Sequence, residues 1–319
     1  MPVHEQRLMR IVVAEFMDQG AVATLGAAHD VLYDATLVDR AAELQRAMAD
    51  ADALIVRNRT RVDAALLEHA PSLRVVGRLG VGLDNIDVAA CRARGIKVIP
   101  ATGANALAVA EYVIFTAMAL LRGVAAATPD VAGGKWPRAA LSSGRELAGK
   151  TMGLVGFGSI GREVARLAQA LGMLVIAHDP VLAQDDPAWQ QLQVRPCAFD
   201  ALLAQGDVVS LHVPLTSATR HLIGAEALAR MKPDAVLVNT ARGGVVDEAA
   251  LASALRHGRL GGAAIDVFET EPLPAGSVLS DAPRLILTPH IAGVTAESNV
   301  RVSTLIAREV AAALQDALK

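Results

Sequence analysis

Two cysteines in 319 residues, Cys91 and Cys197, stand far apart with neither a CxxC pair nor a Cys/His cluster around them. A disulfide framework and a zinc site are excluded as organising devices, and both residues are expected to be plain buried thiols in a reducing cytoplasm. Aromatic residues are equally scarce, 3% of the chain against a hydrophobic fraction of 53%. The core must therefore be built from Ala, Val, Leu and Ile, the mix of parallel sheets covered by helices, which points to the α/β class. A formal charge of -3 leaves no global basic field for nucleic acid. A small-molecule partner is expected instead.

Long apolar runs are also missing. The opening MPVHEQRLMRIVV is interrupted by Arg7 and Arg10, so no export signal is expected. The most apolar helical stretch, AVAEYVIFTAMALLRG, carries Glu111 and is shorter than the roughly 20 residues that a bilayer span needs. It reads as a core helix, and no membrane partner is expected.

What the chain has in quantity is alternation. Short Val/Ile-rich runs, each followed by an Ala/Leu-rich helical stretch and a Gly or Pro boundary, give the βαβ signature. Strands are expected at RIVVA (10–14), DALIV (52–56), LRVVG (73–77) and IKVIP (96–100), with a weaker one at VLYDA (31–35), together making a small flavodoxin-like sheet. A long helix starts in 101–123, and 128–144 shows no clear periodicity. A second series follows at TMGLVG (151–156), LVIAHD (174–179), DVVSLHV (207–213), AVLVNT (235–240), GAAIDVF (262–268) and RLILT (284–288). Six strands with intervening helices describe a doubly wound dinucleotide fold. The last helix has Val302, Leu305, Ile306, Val310 and Ala313 on one face and is expected to return to the first domain.

GFGSIG (156–161) matches G-x-G-x-x-G, a weak signal alone that gains weight from its place between an apolar strand and a helix. Gly156 makes the tight turn, Gly158 admits a pyrophosphate, and Gly161 lets helix and strand pack closely. The next strand ends at Asp179. A carboxylate there takes both ribose hydroxyls of NAD and repels the extra phosphate of NADP. The competing reading is a glycine-rich turn with Asp179 as a helix cap.

Three more strand ends carry polar residues: Arg242 after AVLVNT, Asp266 and Glu271 at and after GAAIDVF, and His290 after LILTP. Each has a bland explanation singly, but together they supply what hydride transfer between an alcohol and a ketone needs. A histidine moves the proton in either direction near neutral pH. A carboxylate fixes its tautomer, and a guanidinium holds an anionic substrate. Glu271 thus orients, His290 transfers the proton, and Arg242 binds. No metal is called for.

GFGSIGREVA, LHVPLTSATRHLIG, MKPDAVLVNTARGGVVDEAAL, GAAIDVFETEPLP and LTPHIAG resemble the D-isomer-specific 2-hydroxyacid dehydrogenases, from about residue 50 nearly to the end. The resemblance implies Arg242, Glu271 and His290 as the catalytic set. It implies Gly156, Gly158, Ser159, Ile160, Gly161, Asp179, Pro214, Thr219, Thr240, Ala241, Asp266 and His290 as NAD contacts, with Asp266 near the nicotinamide carboxamide. It also implies two Rossmann-like or flavodoxin-like domains, with the active site in the cleft between them. The substrate domain is expected at 1–100 plus 291–319, the NAD-binding domain at 101–290, and a homodimer through 105–145.

For the substrate, the family's Gly-Val-Gly turn implicates the backbone of Val81 and Gly82, and Asn105 should stand near them. Arg57, Arg59, Arg61 and Arg78 add local positive charge. They either lie on the surface or, if one or two point inward, demand a second anion on the substrate. Phosphoglycerate and sulfolactate are the dianionic candidates. VRNRTRVD, GRLGVGLDNIDV, TGANALAVAEYV and GKWPRAAL are similar to the sulfolactate dehydrogenases of the family, which makes sulfolactate the leading expectation over phosphoglycerate, glyoxylate and hydroxypyruvate. An NAD(H)-sensing corepressor-like binding protein is the expectation from another class.

Overall fold

The computed structural model describes residues 8–124 and 127–316. Residues 1–7, including Arg7 of the opening stretch, and residues 125–126, within the segment expected to form the dimer contact, lie outside the described residues. The chain divides into two compact units, Met1–Asn105 with Val294–Lys319, and Ala106–Gly293.

The first unit is a five-stranded parallel sheet of β1 (Arg10–Val13), β2 (Asp30–Tyr33), β3 (Ala53–Val56), β4 (Val75–Arg78) and β5 (Lys97–Pro100). The strand order is β2-β1-β3-β4-β5, the flavodoxin-like order. Period-two alternation assigns its side chains to two cores. Ile11 and Val13 face one side and Val12 and Ala14 the other. The first side is closed by the helix Ala296–Asp316, whose Val302, Ile306, Val310 and Leu314 recur every fourth residue and are all buried. Each such burial stabilises by about 1.5–3 kcal/mol. Leu305 packs at the margin of the same core.

The second unit holds seven parallel strands: β6 (Thr151–Val155), β7 (Leu174–His178), β8 (Arg195–Pro196), β9 (Val208–Leu211), β10 (Val236–Asn239), β11 (Gly262–Ile265) and β12 (Leu285–Leu287). Their order is β12-β11-β10-β9-β6-β7-β8. The chain reverses direction across the sheet between β6 and β9, so a crevice opens at the carboxyl ends of these two strands. Strand β8 was not anticipated: it is a two-residue edge strand paired to Ile176 and Ala177. The stretch 128–144 contains two short helices, Ala127–Ala132 and Arg138–Leu141, with no buried residue in either. Without a buried face they leave no apolar period. The long helix runs Ala106–Arg122 and packs on the helix Ser159–Ala170 and on β10 and β11. Both cysteines are free, and Cys91 is buried, but Cys197 is only half-buried. No helix among the described residues is long and apolar enough to cross a membrane.

Candidate active site

The loop Gly156–Gly161 leaves β6 and enters the helix Ser159–Ala170. Gly156 adopts φ +96°, and a Cβ there would meet the His212 carbonyl oxygen at 2.5 Å. At Gly161 a Cβ would meet Gly156 O at 2.4 Å. Only hydrogen fits at either place, so the sequence spacing has a steric cause. Gly158 is different: a Cβ there would enter open space. It begins the helix, and no side chain caps the N-terminus, which leaves the first N–H groups, those of the exposed Ser159 and half-buried Ile160, for an anion. This cradle fits the pyrophosphate of NAD.

Asp179 follows β7. Its Oδ2 accepts the Phe157 N–H at 2.8 Å, and Oδ1 accepts those of Val181 and Leu182 at 3.0 and 3.3 Å. The carboxylate ties the glycine loop to the end of β7 and keeps lone pairs for further donors. Thr219 donates to Pro214 O at 2.6 Å and accepts from Thr216 N at 2.8 Å, shaping the loop after β9. Thr240 Oγ1 is buried with no partner among the described residues, a group of the kind a ligand satisfies.

Past β10 the chain turns on Asn239, which is 1% exposed. Its Oδ1 accepts from Ala241 N at 3.1 Å and its Nδ2 donates to Arg242 O at 3.1 Å. Arg242 Nη1 donates to Ala241 O at 2.6 Å. Gly243 runs so close to the next strand end that a Cβ would overlap Phe268 O at 1.7 Å. That approach packs the Arg242 turn against the loop bearing Glu271. Glu271 Oε1 accepts from Phe268 N at 3.0 Å, and Oε2 lies 2.9 Å from His290 Nδ1. Both side chains are partly exposed, 36% and 41%.

Asp266, 1% exposed, sits under this pair. Its carbonyl accepts His290 N–H at 2.8 Å. Its carboxylate accepts Ile291 N at 2.9 Å, Ala292 N at 2.8 Å and Thr288 Oγ1 at 2.5 Å. Three consecutive amides thus converge on one residue, and His290 is held at φ +56°.

In the first unit Glu15, 4% exposed, gathers the loop after β3 by accepting from Arg57 N at 2.9 Å, Arg59 N at 3.2 Å and Thr60 N at 2.9 Å. Arg57 is half-buried, its Nη2 donates to Asn299 Oδ1 at 2.7 Å, and it lies over the Phe16 ring. Burial pushes its guanidinium below the ordinary arginine range, with Glu15 acting the other way. Arg59 differs from Arg57: its guanidinium is exposed and ion-paired with Asp39. Arg78 Nη1 reaches Leu79 O at 3.3 Å. Within the described residues the N–H groups of Val81 and Gly82 meet no protein acceptor, and Asn105 Oδ1 is buried without a partner.

One residue that the sequence reading passed over stands at the crevice. His212 follows β9, its carbonyl lies against the glycine loop, and both ring nitrogens are buried without partners among the described residues. Burial pushes its imidazole down to about 3, so it is neutral. A histidine directly after a buried strand was the available signal.

Comparison with known proteins bears on this arrangement. Residues 114–292 match the family described as D-isomer specific 2-hydroxyacid dehydrogenase, NAD binding domain. A protein of Chromohalobacter salexigens named (S)-sulfolactate dehydrogenase is 58% identical over 95% of this chain and 98% of its own length. The chain belongs to the D-isomer-specific 2-hydroxyacid dehydrogenases. A D-3-phosphoglycerate dehydrogenase of Mycobacterium leprae is 43% identical over 95% of this chain and 56% of that protein. The crystal structure of a glyoxylate reductase from Paecilomyes thermophila superposes with a TM-score of 0.84 at 30% identity, covering 97% of this chain and 96% of that one. This 2-hydroxyacid dehydrogenase is thus an NAD-dependent oxidoreductase with two Rossmann-like domains.

Proposed function

We propose that the enzyme interconverts a dianionic 2-hydroxy acid of D configuration and its 2-keto acid, and that the pair is (S)-sulfolactate and sulfopyruvate. The (S) label fits the D series, because the sulfomethyl group outranks carboxylate in priority. The observation that carries the chemistry is the 2.9 Å contact between His290 Nδ1 and Glu271 Oε2. For the second anion, support comes from the desolvated Arg57 held by Asn299 and from the 58% identity to a sulfolactate dehydrogenase.

NAD, when bound, would supply the hydride acceptor for the carbon that carries the hydroxyl. With Nδ1 engaged by Glu271, His290 turns Nε2 to the substrate, takes the hydroxyl proton, and returns it to the keto oxygen in reverse. Glu271 fixes the tautomer and stabilises the imidazolium. Arg242 holds the substrate carboxylate and polarises the carbonyl. Val81 and Gly82 N–H, Asn105, Arg57 and Arg78 add to anion recognition. Gly156, Gly158, Ser159, Ile160 and Gly161 hold the pyrophosphate, and Asp179 the adenosine ribose. Pro214, Thr219, Thr240, Ala241 and Asp266 complete the NAD site.

A homodimer accompanies this reading. Leu107, Phe115 and Met118 leave one face of the helix Ala106–Arg122 apolar and exposed, and Trp136 beyond it is 78% exposed, the surface a second copy would cover. Two free cysteines accord with a cytoplasmic location.

The test is a substrate panel with NAD: D-lactate, D-glycerate, D-3-phosphoglycerate and both sulfolactates. (S)-Sulfolactate should exceed glycerate in kcat/KM by roughly tenfold or more. Victory for phosphoglycerate would replace the substrate, and victory for lactate or glycerate would remove the second anion from the reading.

A further inference from the structure

We propose that Tyr112 is a positioning residue for His290, acting through Thr288 and Asp266. The inference rests on the reading of His290 as the proton-transfer residue. Tyr112 lies on the helix Ala106–Arg122, 176 residues before Thr288, and its hydroxyl stands 2.5 Å from Thr288 Oγ1. Thr288 Oγ1 in turn stands 2.5 Å from Asp266 Oδ1.

The protons in this chain have one arrangement. Asp266 Oδ1 already accepts the Ile291 N–H, and Oδ2 accepts the Ala292 N–H. The carboxylate is the acceptor throughout, so Thr288 donates its hydroxyl proton to it. That leaves Thr288 Oγ1 as acceptor, and Tyr112 must donate. Burial pushes the Tyr112 phenol up, and the nearby Asp266 charge acts in the same direction, against the opposing effect of the Thr288 contact. Tyr112 therefore stays protonated and keeps its donor.

The consequence runs along the loop. Thr288, His290, Ile291 and Ala292 all hydrogen-bond to Asp266, and His290 sits between them at φ +56°. A non-glycine residue keeps that conformation only where its surroundings over-determine it. Tyr112 anchors the outer end of the network to a long, well-packed helix. Without its O–H, the Thr288 hydroxyl keeps only its bond to Asp266, and the aim of the His290 ring loosens.

Tyr112→Phe removes the hydroxyl alone. Amide hydrogen exchange at 290–292 should rise about tenfold, while exchange within β6 is unchanged. With the preferred hydroxy acid, kcat should fall about fivefold, with KM and the NADH Kd within about twofold, the size expected for one hydrogen bond. Thr288→Val should reproduce the effect, Thr288→Ser should restore it, and the double variant with Tyr112→Phe should lose little more than either alone. Unchanged exchange at 290–292 in Tyr112→Phe overturns the proposal, whatever happens to turnover. Faster exchange with undiminished kcat overturns the positioning role of Tyr112, while His290→Ala separately decides whether His290 transfers the proton. Faster exchange with lower kcat supports the positioning role.

Discussion

Glu271 divides its carboxylate between two tasks: Oε1 receives the Phe268 N–H at 3.0 Å, and Oε2 stands 2.9 Å from His290 Nδ1. The first bond fixes the second, because a carboxylate pinned to its own backbone turn cannot follow a wandering imidazole. His290→Ala should lower kcat by roughly 100-fold or more, with the NADH Kd nearly unchanged, since proton transfer alone is lost. Glu271→Gln keeps the shape and removes the charge, so its loss should be smaller and the pH profile of kcat displaced. Near-normal turnover in His290→Ala, measured at saturating substrate, would contradict the assignment.

Asp179 should set the choice of cofactor. Replacement by Ser should weaken NAD use and improve NADP use relative to it. The same carboxylate holds Phe157, Val181 and Leu182 N–H, so a loss of thermal stability should accompany the change. Paired measurements of kcat/KM with each nucleotide check this, and a wild type that already prefers NADP would contradict the role.

The two arginines of RNRTR should separate. Arg57→Ala should remove most of the preference for a dianionic substrate over glycerate, a change of roughly tenfold or more in the ratio of kcat/KM values. Arg59→Ala breaks only an exposed pair with Asp39 and should leave that ratio within about twofold. Equal effects at both positions would show that surface charge, not a positioned guanidinium, attracts the substrate.

His212 gives the fold an acid limit. The folded-state value of about 3 lies below the ordinary 6.5, so between these values the unfolded chain binds a proton that the folded chain excludes. The resulting stability is complete above pH 6.5 and is lost as pH falls through the window, at up to ~1.4 kcal/mol per pH unit. His212→Phe breaks no hydrogen bond to the described residues, because neither ring nitrogen has a partner among them. Urea unfolding from pH 7.5 to 5 should show a shallower pH slope in the variant, and parallel slopes would count against the buried neutral imidazole.

Most strands of the two sheets were legible because they are short aliphatic runs between turn residues, and burial on both faces keeps the central ones largely free of polar interruption. The polar residues at their carboxyl ends were legible for the same reason: Arg242, Asp266 and His290 stand where the apolar runs stop. Other features depend on partners remote in sequence. Nothing in RNRTR reveals that Arg59 meets Asp39 while Arg57 meets Asn299, 242 residues away. Tyr112 in an apolar helix looks like any core aromatic until Thr288 is placed beside it. Strand β8 was invisible for another reason, since two residues carry no periodicity.

That short strand determines what can happen at the rim of the larger sheet. Cys197 N donates inward to Ala177 O, so by alternation the N–H that would point away from the sheet belongs to position 196, which is proline. A foreign strand arriving at this side would find no donor there to begin a ladder. The chain thereby resists edge-to-edge aggregation through β8 even though its backbone is exposed to solvent.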